Sequence, residues 1–339
     1  MIDVASPLII GDLIELFTTP DELFGVFIDG LAKSAVYVMI ASGLTLIFGL
    51  MDVINFAHGS FTMLGAYLAA GLLLVAGASQ FGLLVAIVIL LGVMILTFVG
   101  LAIVGTVFEI GLISKLYEYP PIFQILLTFG LTLVLEEFMR MLVQASGINN
   151  GVYQNNWQEA AARPSGLRDS FEVLFVNINP LQALQILMGV VTVVAIWGFL
   201  NRTRYGLFVR AGVQDEEMAQ ALGINVKQTF TVVFAVGSGI AGLAGAMLVW
   251  DPVWDVSVPL ALSVLLPAFV IVIVGGLGSY KGTVVASLIV GMIDGLTTWM
   301  FVTGVVRFAG LQELMIFAIL VGMLILKPQG LYGIEVDHG

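Results

Sequence analysis

Only 10% of this 339-residue chain is charged, so the polar side chains that interrupt its apolar runs can be weighed one by one. Asp52, Asn55, His58, Gly59 and Ser60 break the apolar stretch between residues 43 and 67. Amide, imidazole and hydroxyl groups at a helix break can line a polar path, and a helix N-terminus suits a carboxylate. The same segment also fits a short turn at a membrane surface, its polar groups serving folding and gating contacts. Glu136, Glu137 and Arg140 lie at i, i+1 and i+4, which lets Glu136 and Arg140 pair along one helix face. Asp294 sits mid-run with no charged neighbour in sequence; it lines a path, bonds another helix or is protonated.

Downstream of Arg210, the residues Asp215, Glu216 and Glu217 open a short helical segment that closes at Gly223. Carboxylates favour the positive end of the helix dipole, and glycine favours the position just past a helix C-terminus. Met218, Ala221 and Leu222 form one apolar face, which suits docking in a groove of another protein or lying on the parent bundle. Gly237, Ala241 and Gly245 recur every four residues, a spacing that lets helix backbones approach closely in lipid. Gly275, Gly276 and Gly278 mark a turn that must pack tightly or flex. No Gly-x-x-x-x-Gly-Lys-Ser/Thr pattern occurs anywhere, so ATP is not expected to bind here.

Several chemistries are excluded. The chain has no cysteine, so thiolate metal sites, disulfides and cysteine nucleophiles are absent. Its two histidines, His58 and His338, leave no cluster for a metal centre, and no cofactor is expected. A net charge of −11 argues against nucleic acid as a partner.

The elements that hold these residues are membrane helices. The chain is 60% hydrophobic with a mean hydropathy of +1.08, whereas soluble domains carry roughly a quarter charged residues. No charge occurs between Gly59 and Phe108, room for two spans of about 20 residues. The runs are continuous rather than alternating, which excludes a β-barrel. Nine apolar runs lie near 29–50, 59–77, 81–107, 122–145, 180–200, 227–250, 260–279, 283–304 and 308–326. The expected fold is an all-α polytopic helical bundle of about eight or nine transmembrane helices. Residues 26–333 form one transmembrane domain, preceded by an acidic surface segment (1–25) and followed by a short tail (334–339). The acidic start has no basic residue and does not resemble a cleavable signal. Arg202, Arg204, Arg210, Lys115, Lys227, Lys281 and Lys327 fall in loops of one parity. That places the 201–226 loop and the C-terminus in the cytoplasm, and the N-terminus and the 146–179 loop outside. Arg163, Arg168 and Arg307 run against this balance.

Four stretches carry a resemblance. Residues 43–67, around Ile54-Asn55-Phe56-Ala57-His58-Gly59, resemble the N-terminal signature of branched-chain amino-acid ABC permeases of the LivH type. Val274-Gly275-Gly276-Leu277-Gly278-Ser279-Tyr280-Lys281-Gly282-Thr283 and the ending Lys327-Pro328-Gln329-Gly330-Leu331-Tyr332-Gly333 are similar to that family as well. Glu217-x-Ala219-x-x-x-Gly223 resembles the cytoplasmic signature of ABC importer permeases, with Met218 replacing one alanine. The resemblance implies a coupling helix, carried by Arg210, Asp215, Glu216, Glu217, Ala219 and Gly223, that sits in a cleft of separate ATPase subunits. It implies three further partners: a second permease of the family, an external solute-binding protein and a small-molecule substrate. The expected cargo is a branched-chain or other hydrophobic amino acid, with urea or short amides as the alternative. A secondary transporter or channel is the competing class. The longer acidic start, the polar 149–172 insertion, Asp251 to Asp255 and Pro267 depart from the family pattern.

Overall fold

The computed structural model describes residues 16–333 except 52, 78–79, 118, 148–160, 162, 164–166, 168–169, 174–175, 215, 252–253, 255 and 309. In chain order come helices α1 (Pro20–Met51), α2 (His58–Ala76) and α3 (Leu83–Gly111), then a 3-10 turn (Ile113–Leu116) and α4 (Pro121–Ser146). Strands β1 (Phe171–Val173) and β2 (Val176–Ile178) pair antiparallel, with Phe171 opposite Ile178. Helices α5 (Pro180–Arg202), α6 (Arg204–Gln214), α7 (Glu216–Ala221), α8 (Val226–Leu248), α9 (Leu260–Gly275), α10 (Tyr280–Val302) and α11 (Leu311–Leu326) follow among the described residues.

All nine apolar runs are helices, and seven are long and apolar enough to cross a membrane. The other two, α9 and α11, have 16 residues each, about 24 Å of helix beside a hydrocarbon core of about 30 Å. Pro267 lies inside α9. The expected boundary at residue 26 falls within α1, whose helix starts at Pro20 and runs without interruption. The 201–226 loop holds two helices, α6 and α7, where one short helix was expected. Asn149, Asn150, Gly151, Trp157 and Pro164 of the long 146–179 loop lie outside the described residues.

Lipid tails are as apolar as leucine, so helices in a membrane associate through close packing rather than through escape from water. Small residues make that packing possible here. A Cβ on Gly65 would overlap the backbone of Gly242, and one on Gly245 would overlap the Thr62 carbonyl. A Cβ on Gly237 would stand 2.8 Å from the Gly43 carbonyl. Ala241, between the two α8 glycines, is fully buried. These contacts set α8 against α1 and α2. On the other side of α1, Gly30 meets Gly295 and Ser34 meets Gly291 of α10.

The α9–α10 turn is built the same way. Gly276 and Gly278 adopt φ +101° and +77°, a backbone region that side-chain-bearing residues occupy at a cost. A Cβ on Gly275 would stand 2.5 Å from Gly282. The last described residues close over this turn: the Leu331 and Tyr332 amides donate to the Val274 and Gly275 carbonyls at 2.8 and 3.0 Å. Outside the small-residue centre, α3 and α5 expose Leu84, Val88, Ile95, Ile103, Leu187, Val190 and Val194. A face of that kind suits acyl chains.

Replacing Gly245 by leucine forces α2 and α8 apart, at a cost of about 1–3 kcal/mol for overpacking. Gly92→Leu, where an added Cβ meets nothing within 4 Å, should be nearly neutral. Thermal inactivation in mild detergent distinguishes the two, and equal midpoints would contradict the packing scheme.

Candidate functional site

The first candidate site is the break between α1 and α2. His58, the first residue of α2, places Nε2 2.9 Å from the Ile40 carbonyl. A carbonyl only accepts, so Nε2 carries the proton. Ile40 precedes the end of α1 at Met51 by eleven residues, about 16 Å along the helix axis. The 53–57 segment therefore lies alongside α1, and α2 begins part-way along it rather than at its end.

Non-helical backbone at such a depth needs partners from protein. Two threonines one turn apart on α4 supply them. Thr128 Oγ1 accepts from the Phe56 amide at 3.1 Å and lies 3.2 Å from the Ile54 carbonyl. Thr132 Oγ1 donates to the Phe56 carbonyl at 3.1 Å. The Asn55 side chain caps its own turn, accepting from the Ala57 amide at 3.0 Å. Asn55, His58, Gly59 and Ser60 are all buried. Asn55 Nδ2, His58 Nδ1, Ser60 Oγ and Thr62 Oγ1 have no hydrogen-bond partner among the described residues. Gly59 lies so close to α9 that a Cβ would overlap the Ala261 carbonyl.

The second site is the α6–α7 corner. Glu217, Met218, Ala221 and Leu222 are exposed, while Ala219 is buried. The helix ends at Gly223, φ +85°, with amides of Gly223 and Ile224 donating to Gln220 and Ala219 carbonyls at 2.9 and 3.0 Å. Asn225 then caps α8 by accepting from the Gln228 amide at 3.0 Å. Two caps back to back leave little slack between α7 and α8. Arg210 donates to the Leu200 carbonyl and to Asn201 Oδ1, at 2.6 and 3.0 Å, so it ties α6 to the end of α5. Asp215 lies outside the described residues.

The third is a polar network at the other end of the bundle. Asp294, 1% exposed, accepts from Lys33 at 2.7 Å, Tyr37 at 2.5 Å, Gln312 at 2.7 Å and Thr298 at 3.2 Å. Lys33 also contacts Thr298 and pairs with Asp29 at 3.7 Å. Gln185 donates to Asp251 at 3.1 Å, and Lys33, Tyr37, Leu248, Asp251, Trp254 and Asp294 line a small cavity here. Asp294 thus joins α1, α10 and α11, and it lies apart from the break: Lys33 and Ile40 are seven residues apart on α1, about 10 Å. On α4, Arg140 contacts Glu137 at 3.3 Å and Glu136 at 3.9 Å.

Sequence reading passed over Lys33, Thr128, Thr132 and Glu109. The i, i+4 pair Asp29 and Lys33 was a usable local signal; the threonines carried none. Glu109, 2% exposed, accepts from Tyr117 at 2.6 Å and from Thr231 at 2.7 Å. Burial, together with the hydrogen bond to Glu109, pushes the Tyr117 phenol well above its ordinary value, so it stays a donor.

A multi-pass helical bundle with a broken helix held inside it defines a membrane permease. The chain belongs to the family described as the permease component of the branched-chain amino acid transport system, whose model matches residues 26–324. It is similar to the high-affinity branched-chain amino acid permease LivH of Salmonella typhimurium, 24% identical over 90% of this chain and 94% of the relative. BraD of Pseudomonas aeruginosa is 26% identical over the same shares. A probable LivH of Methanocaldococcus jannaschii is 26% identical over 89% of this chain and 90% of the relative. No solved structure matches.

Thr128→Val removes the partner of the Phe56 amide with little change of shape. An orphaned buried donor costs about 1–3 kcal/mol, and Thr128→Ser should recover most of it in thermal inactivation. Lys33→Met leaves Asp294 buried without its cation, a loss of about 3–5 kcal/mol. Lys33→Met with Asp294→Asn should be more stable than Lys33→Met alone. If the double variant is the less stable of the two, the pairing is not what matters at that site.

Proposed function

We propose that this chain is the transmembrane subunit of an ATP-binding-cassette importer for branched-chain or other hydrophobic amino acids. It would be driven by separate ATPase subunits, paired with a second permease of the family and supplied by an external solute-binding protein. The observation that carries this reading is α7: a short helix with Met218 and Leu222 exposed, joined to α8 by two caps. An apolar face of that size suits a groove on another protein, and the tight corner suits transmission of force. The relatives' names, which state branched-chain amino acid transport, support the cargo.

Basic residues support the orientation. Lys115, Arg202, Arg204, Arg210, Lys227, Lys281 and Lys327 lie at helix ends or loops around the α6–α7 corner's side of the bundle. That side faces the cytoplasm, the N-terminus lies outside and the membrane is the cytoplasmic one. Asn55, His58, Gly59 and Ser60 would meet the substrate when the helices around the break separate. A broken-helix N-terminus favours the carboxylate that every amino acid carries.

Val at residue 223 must adopt the positive φ that glycine holds there, at a cost of about 1–2 kcal/mol. Gly223→Val should cut ATP-driven leucine uptake by about tenfold or more, and deletion of 212–223 should abolish it while the chain still reaches the membrane. Undiminished flux after the deletion would favour a secondary transporter or channel. Excess isoleucine or valine should compete with labelled leucine and urea should not; the reverse order would favour a urea or short-amide permease.

A further inference from the structure

Glu109 lies outside the break and outside the α6–α7 corner, yet it connects the two. Its carboxylate is buried at the end of α3 and is held from two sides, by Thr231 in the second turn of α8 and by Tyr117 beyond the 3-10 turn. Tyr117 also meets Phe230 edge to face, with ring centroids 5.2 Å apart. Next to Tyr117, the Leu116 carbonyl accepts from Gln124 Nε2 at 3.1 Å. Gln124 is in the first turn of α4, and Thr128, one turn further on, holds the Ile54–Phe56 backbone. Hydrogen bonds, joined through the covalent link between Leu116 and Tyr117, thus lead from α8 through Glu109 to the break.

We propose that Glu109 is the positioning residue that makes α4, and with it the 54–56 segment, follow α8 when α7 is moved. A buried acceptor with two donors on separate elements is suited to this, because neither element can shift alone without leaving one buried carboxylate oxygen without its donor. α8 has a direct route to α2 through Gly242 and Gly245. The Glu109 route adds the outer wall of the break, so that both sides move together. This inference rests on the ATP-driven reading above.

The test uses the whole transporter with its ATPase and binding protein in vesicles, in three forms: unaltered, Thr231→Val and Thr231→Ser. Valine keeps the shape of threonine and removes the donor. Leucine carried per ATP hydrolysed should fall by about fivefold or more in Thr231→Val, the loss expected when a link of ordinary coupling energy is removed. Unstimulated hydrolysis should stay near its starting rate, and Thr231→Ser should restore the ratio. Because the chain has no cysteine, Ile54→Cys gives this chain a single thiol, and labelling read on this chain after its separation from its partners reports the break. Its labelling should change with nucleotide in the otherwise unaltered transporter and not in Thr231→Val. A normal transport ratio and normal nucleotide-dependent labelling in Thr231→Val would overturn the role of Glu109 alone. Uptake that ignores ATP in the unaltered transporter would overturn the importer reading, and this inference with it.

Discussion

The structure depends on how the non-helical segment 53–57 is kept satisfied inside a bundle that faces lipid. A membrane interior offers no water to backbone amides and carbonyls, so each must find protein or remain costly. From Ile54 to Ala57 side chains answer that demand: Thr128 and Thr132 from α4, and Asn55 from within the segment. The His58 imidazole, anchored on the Ile40 carbonyl, then fixes where α2 begins. The break is held on several sides by groups on other helices, so any motion of those helices reaches it.

Two kinds of contact divide the work in the rest of the bundle. Glycine and serine contacts among α1, α2, α8 and α10 bring backbones together and resist sliding. Polar contacts cluster at the two ends, with the Asp294 network at one and Glu109 at the other. A buried charge pair contributes little net stability but is costly to break on one side only. The Asp294 network therefore acts mainly as a constraint that keeps α1, α10 and α11 in register. The peripheral helices α3, α4 and α5 expose apolar faces, and α4 reaches the break through two threonines and the edge contact of Phe129 with Phe56.

The helices were legible in the sequence because a continuous apolar run states its own length, and all nine appear. Gly237, Ala241 and Gly245 were legible as a packing stripe from spacing alone. Of the nine, α9 and α11 are shorter than the other seven, a boundary that hydropathy blurs because Gly276 and Lys327 follow apolar residues. The pairing of Asp294 with Lys33 was not legible, since 261 residues separate them and only the α1–α10 contact brings them together. Thr128 and Thr132 gave no signal either, because a threonine bonded to its own helix looks in sequence like one that also holds a neighbour's backbone. Whether the 51–59 segment was a surface turn or an interior break was open for the same reason. The His58–Ile40 contact places the start of α2 part-way along α1.

On the importer reading, movement of solute through this bundle is driven from outside the chain, at α7. The most direct measurement is leucine flux into sealed vesicles holding the permease pair, with the binding protein inside the experiment throughout and the ATPase and ATP present or withheld. The account predicts uptake against a gradient with both present and none when either is withheld. Equal flux with the ATPase left out would contradict it.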